Sequence, residues 1–265
     1  MSVVHENANA RRIERTRLLS RGFRLWRHLF MFGVLATAGI TVGYWLARES
    51  RIVDLWIVPF FLLSQNVAEY LIHRLLMHRP SFLRALYQGH MGHHRAFQYD
   101  AMAIEAWSQM GLVMMPWFSI ALLFAGMAPI VWVTARTVGP GPAGLLLVTS
   151  TFSFVFYEML HALYHFPSPV LGRLGLAHSR TFAFLSRHHR HHHRLERMRW
   201  VNFNISVPLS DLMFGTRETE AAWQVARERR TSAPASPGTS GRGASGPQAA
   251  ETDKDDEALP LRVGK

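Results

Sequence analysis

Twelve of the fifteen histidines fall in four tight groups whose spacings suit metal ligation. His73 and His78 bracket HRLLMH, and His90, His93 and His94 lie in HMGHH. His161 and His165 bracket HALYH. The fourth group lies in Arg187–Glu196, RHHRHHHRLE, where His189, His192 and His193 repeat the H-x-x-H-H spacing of the second. On a helix, residues i and i+4 share a face, so His161 and His165 can bind together. In H-x-x-H-H all three residues share a face, with the adjacent pair splayed by about 100°, and a splayed pair can reach two different ions. His73 and His78 are about 140° apart on a regular helix. A helix end before Pro80 would free His78 to swing round, and a π-bulge would serve as well. Ten imidazoles suit two ions better than one. Imidazole binds Zn, Cu, Fe and Ni and does not choose among them. His188 and His191 are surplus: they support the ligands from behind, or they offer an alternative register through His188, His191 and His192. His5, His28 and His178 stand alone and are assigned no role. With no cysteine in the chain, disulfides, iron–sulfur ligation and thiolate zinc sites are excluded within it.

The elements that must carry these groups are membrane spans. Leu29–Ala47 is a run of nineteen uncharged residues, about 28 Å as a helix and so a match for a bilayer core. Leu55–Ala68 is uncharged and its apolar pattern continues to Ile72, while Ala106–Ala135 and Thr137–Tyr157 carry no charge. Gly126 and Pro129 should end the third span near Ala125, leaving residues 126–142, with GPGPAG, as an outer hairpin before Gly144–Leu160 returns. The first span follows too long a charged leader for a cleavable signal peptide. Four spans bring all four histidine groups out on one side.

Charge placement names that side. The net charge is +11. Seven arginines precede the first span, four lie in the loop after the second and thirteen follow the fourth, against Arg48, Arg51 and Arg136 in the outer loops. This asymmetry sets both termini and the histidines in the cytoplasm and argues against a nucleic-acid partner. The N-terminal arm should lie along anionic headgroups with Leu18, Leu19, Phe23 and Trp26 facing lipid. From Thr231 the chain is small, polar and rich in Pro and Gly, as in a disordered tail. The expected organisation is a basic arm over 1–28, a membrane domain over 29–216, and a helix start with a disordered tail over 217–265.

Through these motifs the sequence resembles the membrane-bound fatty acid hydroxylase superfamily, which includes sterol desaturases and sterol methyl oxidases. The resemblance runs from about Asn66 to Thr216 through HRLLMH, HMGHH, YEMLHALYH, HHRHHH and NFNISVPLSDLMFGT. The histidine pattern is shared widely among membrane oxygenases. Tyr157–Glu158 and the Pro208, Asp211, Phe214–Gly215–Thr216 ending are more specific. They look most similar to the fatty acid 2-hydroxylase branch, with Y-D-x-x-H-Y-x-L-H and W-D-x-x-F-G-T; carotenoid hydroxylases look less similar. This chain carries Glu158 for the branch's Asp, Ser210 for its Trp and Asn204 where Gly is common. His90 follows His78 by a gap of only twelve positions. The resemblance also favours the register through His189, because it completes the HH-x-x-HH form.

The resulting expectation is an all-α integral membrane protein of about four transmembrane helices with a cytoplasmic helical cap carrying the dimetal site. The resemblance implies two iron ions, with zinc possible in isolated protein, and O₂ with two electrons for oxidising an unactivated C–H bond of a lipid. A fatty acyl chain is the first substrate expected. Cleaving such a bond with O₂ needs a redox metal, which zinc is not. Metal-bound imidazoles pass their other N–H to carboxylates or carbonyls. Among Glu69, Asp100, Glu105, Glu158 and Asp211, the choices are Glu158 and Asp211, which fall on the family's motif positions. No segment resembles a fused cytochrome b5 domain, so electrons should come from a separate ferredoxin, rubredoxin or cytochrome b5-type carrier docking on the arginine-rich face. A desaturase or carotenoid hydroxylase with the same centre is the nearest alternative. Metal transport would require ionisable residues lining the spans, where only Glu69 and Glu158 come close.

Overall fold

The computed structural model describes residues 2–19, 23–80 and 82–232, and the polar tail beyond 232 lies outside them. The chain forms two units, Met1–Val225 and Ala226–Lys265, and of the second only the end of one helix, to Ser232, is described. The described residues form helices joined by turns and loops and contain no strand. Helix α1 (Ser2–Leu18) precedes α2 (Leu25–Ala47). A 3-10 turn, Ile52–Ile57, leads into α3 (Val58–Leu71), which runs on as a π-helical segment, Ile72–Met77, before α4 (Arg84–Ala96). After a 3-10 turn at Trp107–Gln109 come α5 (Met110–Val113), α6 (Ser119–Thr137) and α7 (Pro140–Tyr164). Helices α8 (Ser168–Arg173), α9 (Arg180–His192), α10 (Leu209–Met213) and α11 (Glu220–Ser232) complete the order.

Four helices are long and apolar enough to cross a membrane: Leu25–Ala47, Ile52–Met77, Ser119–Thr137 and Pro140–Tyr164. Large apolar side chains such as Phe30, Trp45, Phe60, Leu122 and Trp132 stand exposed along three of them, as helices bathed in lipid require. Helix α7 is the central one and packs on α2, α3 and α6. The first two spans fall close to where the apolar runs place them.

The third and fourth spans differ from the sequence expectation. Residues 106–118 do not begin a span. They form short turns around the one-turn helix α5, which stops at Val113 with Met114 already extended (ψ 144°), two residues ahead of Pro116. Pro129 instead sits inside α6. It forfeits one ladder hydrogen bond, a loss that spanning helices accommodate. The outer hairpin shrinks to Val138–Gly139, with Gly139 at φ +131°, and Pro140 opens α7 at the position where its missing amide costs nothing.

The glycines of GPGPAG serve packing more than turning. A Cβ on Gly144 would stand 2.2 Å from the Ala47 nitrogen and 2.5 Å from the Gly43 carbonyl oxygen, so α2 and α7 meet backbone to backbone. Small residues allow such contact between spans. We expect Gly144→Leu to force the helices apart and lower the melting temperature of detergent-purified protein, at a cost of about 1–3 kcal/mol or more. Gly126→Ala in α6, where an added Cβ meets nothing within 4 Å, should be neutral or slightly stabilising. Equal melting temperatures for both variants would remove the close contact from the account.

The N-terminal arm is the second difference. Trp26 is exposed as expected, but Leu18 and Phe23 face inward. They pack with Leu25 on a buried cluster of Ala96, Phe97, Ile104, Met110, Val113 and Ala162. Helix α1 lies along α4, anchored by the buried guanidinium of Arg15, which an amphipathic reading of the arm does not reveal.

Candidate metal centre

Each histidine group is delivered by a separate local device. His73 lies in the π segment and His78 caps it, with the His78 amide donating to the His73 carbonyl at 3.2 Å. This i→i+5 bond closes a wider turn and brings residues five apart onto one face. The bulge therefore resolves the awkward spacing of HRLLMH. His90, His93 and His94 project from α4, His161 from the last turn of α7 with His165 capping it, and His189 and His192 from α9 with His193 as its cap.

The ten histidines form two buried sets of five. His73, His78, His90, His94 and His192 make one, and His93, His161, His165, His189 and His193 the other. In each set the candidate ligand atoms lie within 4.8 Å of one another. The adjacent pairs His93–His94 and His192–His193 divide between the sets, as their splay on a helix dictates. The sets adjoin where the rings of His94 and His193 come within 4.3 Å, centroid to centroid.

Within the first set the Nε2 atoms approach at 2.9 Å (His73–His90, His78–His192), 3.0 Å (His78–His90, His90–His94) and 3.1 Å (His73–His78). The second set is slightly looser: 3.0 Å for His189–His193, 3.2 Å for His93–His161 and 3.3 Å for His93–His193 and His165–His189. These nitrogens cannot all be paired by protons. Five of the rings turn Nδ1 toward a backbone carbonyl: His73 to Phe203, His192 to Val201, His93 to Leu112, His165 to Met102 and His193 to Phe97. The carbonyls only accept, so Nδ1 carries the proton and the Nε2 lone pair faces inward. Two nitrogens bound at about 2.1 Å to one ion and at a right angle to each other lie about 3.0 Å apart, close to the separations found. The donor set therefore fits a metal ion in each group.

Burial prepares the same state. Desolvation, followed by repulsion from neighbouring imidazoles, holds His90, His94 and His189 well below the ordinary imidazole value. Desolvation likewise lowers His192 and His193. His93 is pushed down to about 4, again mainly by desolvation. These rings are neutral at physiological pH and need lose no proton to bind.

Loop 201–206 holds the carbonyls of the first set. Asn202 sits between Val201 and Phe203 in the left-handed conformation (φ 59°), an uncommon place for a residue other than glycine. Its side chain ties His188 and Glu218: Nδ2 donates to their carbonyls at 3.2 and 3.0 Å, and Oδ1 accepts from the Glu218 amide at 2.7 Å. Asp211, fully buried, accepts from the Phe203 and Asn204 amides at 2.9 and 2.8 Å, from Thr216 Oγ1 at 2.7 Å and from His188 Nε2 at 3.1 Å. Asp211 thus reaches the ligand set through the loop backbone. Glu158 accepts from the Met115 amide at 3.2 Å, and its other oxygen has no partner. Neither carboxylate pairs with a ligand ring, and backbone carbonyls stand behind five of the ten.

His188 and His191 lie outside both sets. His188 meets Asp211, and His191 meets Glu218 at 2.9 Å. Asn66 is a residue that sequence reasoning overlooked. Its Oδ1 accepts from the Ser210 amide and hydroxyl at 3.0 and 2.8 Å, and its carbonyl accepts from Asn204 Nδ2 at 3.0 Å. Ser210 and Asn204, two departures from the branch pattern, therefore meet at one partner. An asparagine inside an apolar span was the available signal. Glu69 is taken up by the same loop, accepting from the Ile205 and Ser206 amides and the Ser206 hydroxyl.

The sequence profile of the fatty acid hydroxylase family matches residues 58–216, more than half of the 265 residues and all ten histidines of the two sets. No curated protein and no solved structure matches the chain. With four helices fit to cross a membrane and two buried five-histidine sets inside the matched region, this chain belongs to the fatty acid hydroxylase family.

Proposed function

We propose that this protein hydroxylates an unactivated C–H bond of a lipid, a fatty acyl chain in the first instance, at a centre of two iron ions. The observation that carries the reading is the pairing of two five-imidazole sets inside a fatty acid hydroxylase domain. Iron bound there supplies the reduction of O₂ and the removal of hydrogen, with R–H, O₂, two electrons and two protons giving R–OH and water. The chain holds the metal with His73, His78, His90, His94 and His192 in one set and His93, His161, His165, His189 and His193 in the other. Their burial keeps bulk water from the reacting carbon. The lipid enters sideways between the apolar spans. The 2-hydroxylase branch is the closest part of the family, on the strength of Tyr157–Glu158 and the Asp211 ending. Electrons come from a separate acidic carrier of ferredoxin, rubredoxin or cytochrome b5 type, for which the exposed Arg79, Arg84, Arg187, Arg190 and Arg199 offer a complementary face.

Purified protein should carry about two metal ions per chain, and Fe(II) should be required for turnover. Lipids extracted after turnover should gain a hydroxyl group, whereas a new double bond would identify a desaturase. Active protein with one ion or none would defeat the two-ion reading. Zinc in an isolated sample would not, because Zn outcompetes Fe(II) at nitrogen sites.

We place both termini and the histidine sets in the cytoplasm, from the arginine asymmetry. A reporter inserted at the 138–139 turn should then lie on the opposite side from one in the 80–84 loop. Finding both on one side would break the four-span arrangement.

A further inference from the structure

We propose that Arg15, outside the matched domain, is a positioning residue for the second histidine set. The inference rests on the two-ion reading above. The guanidinium, 2 % exposed, gathers the backbone between α4 and the Trp107–Gln109 turn. Its Nε donates to the Ala96 carbonyl at 2.8 Å, Nη2 to Ala101 at 2.6 Å, and Nη1 to Ala103 at 3.1 Å and to Glu105 Oε1 at 3.2 Å. The residues next in the chain carry the carbonyls that orient ligands: Phe97 for His193, and Met102 for His165 at 2.7 Å. The same guanidinium lies 4.6 Å over the Phe97 ring, which packs at 4.8 Å on His165 and 5.5 Å on His93.

The rest of the arm extends the support. The Phe23 ring occupies the space a side chain on Gly111 would need, and the next residue, Leu112, accepts from His93 Nδ1 at 2.9 Å. All three carbonyl-oriented rings of the second set are therefore backed by the N-terminal arm. Those of the first set are backed by loop 201–206, which Arg15 does not touch. A planar fork reaching three carbonyls and a carboxylate is something arginine provides and lysine, with a single point of charge, does not.

The test is zinc affinity of the detergent-purified full chain, measured by competition with a chromophoric chelator. Wild type should bind two ions. In Arg15→Ala, one ion should weaken by about 10–100-fold, the usual effect of losing an outer partner of a ligand, while the other keeps its affinity. Two backgrounds identify the ion. With the first set disabled by His90→Ala, adding Arg15→Ala should weaken the remaining ion. With the second disabled by His161→Ala, it should change nothing. Arg12→Ala, on the exposed side of α1, should match wild type throughout. Equal weakening in both backgrounds, or in neither, overturns the inference. Should Arg15→Ala fail to fold, Arg15→Lys carries the same comparison, and failure of both to fold overturns it in favour of a general folding role. Fewer than two ions in wild type defeats the two-ion reading, and the inference with it.

Discussion

Replacing His189, His192 or His193 by alanine, one at a time, is expected to abolish lipid oxidation and remove metal. Each of the three is fully buried with its Nε2 among four other imidazoles. Because His192 and His193 serve different sets, His192→Ala should empty the first and His193→Ala the second. His188→Ala and His191→Ala should be milder, since these rings meet Asp211 and Glu218 and lie outside both sets. Oxidised lipid and bound metal, measured for all five variants in one membrane preparation, decide the matter. Loss at His188 and His191 with retention at His189 and His193 would move the ligand register by one residue.

Asp211→Ala should be nearly as damaging, although Asp211 touches none of the ten rings. Its removal strands two buried amides, the Thr216 hydroxyl and His188, and breaking such a buried network typically costs about 3–5 kcal/mol. The released loop would take the Val201 and Phe203 carbonyls away from His192 and His73. Metal in the first set should weaken by about 10–100-fold, while the second set keeps its ion. Burial alone would raise this carboxyl group, but hydrogen bonds from His188, Thr216 and the Asn204 amide outweigh it and hold the group below the ordinary aspartate value. A depressed carboxylate contributes stability above its unfolded value and loses it as pH falls through the folded one. The loop should therefore hold at neutral pH and fail only in acid below about pH 4. Metal bound in both sets of Asp211→Ala with wild-type affinity would end this account.

Residue type and spacing alone determined the number of spans, the four histidine groups and the splay that parts adjacent pairs, while the register through His189 rested on the family resemblance. These are properties of short helical segments: an apolar run of bilayer length announces itself, and i, i+3 and i+4 share a face whatever surrounds them. The π turn at His73–His78 was one of two solutions open to a five-residue spacing, beside a helix end before Pro80, and the fold chose between them. Span limits near Pro116, Pro129 and GPGPAG were not, because whether a proline or glycine breaks a helix depends on the neighbour it meets. Gly144 proved to be a contact with Ala47 and Gly43 on α2. Tertiary structure alone decided what stands behind the ligands. Backbone carbonyls look alike in every sequence, so nothing in residues 97–112 or 201–203 marked them as partners. Arg15 is one of seven arginines in the arm, and only the packing of α1 against α4 separates it from the other six.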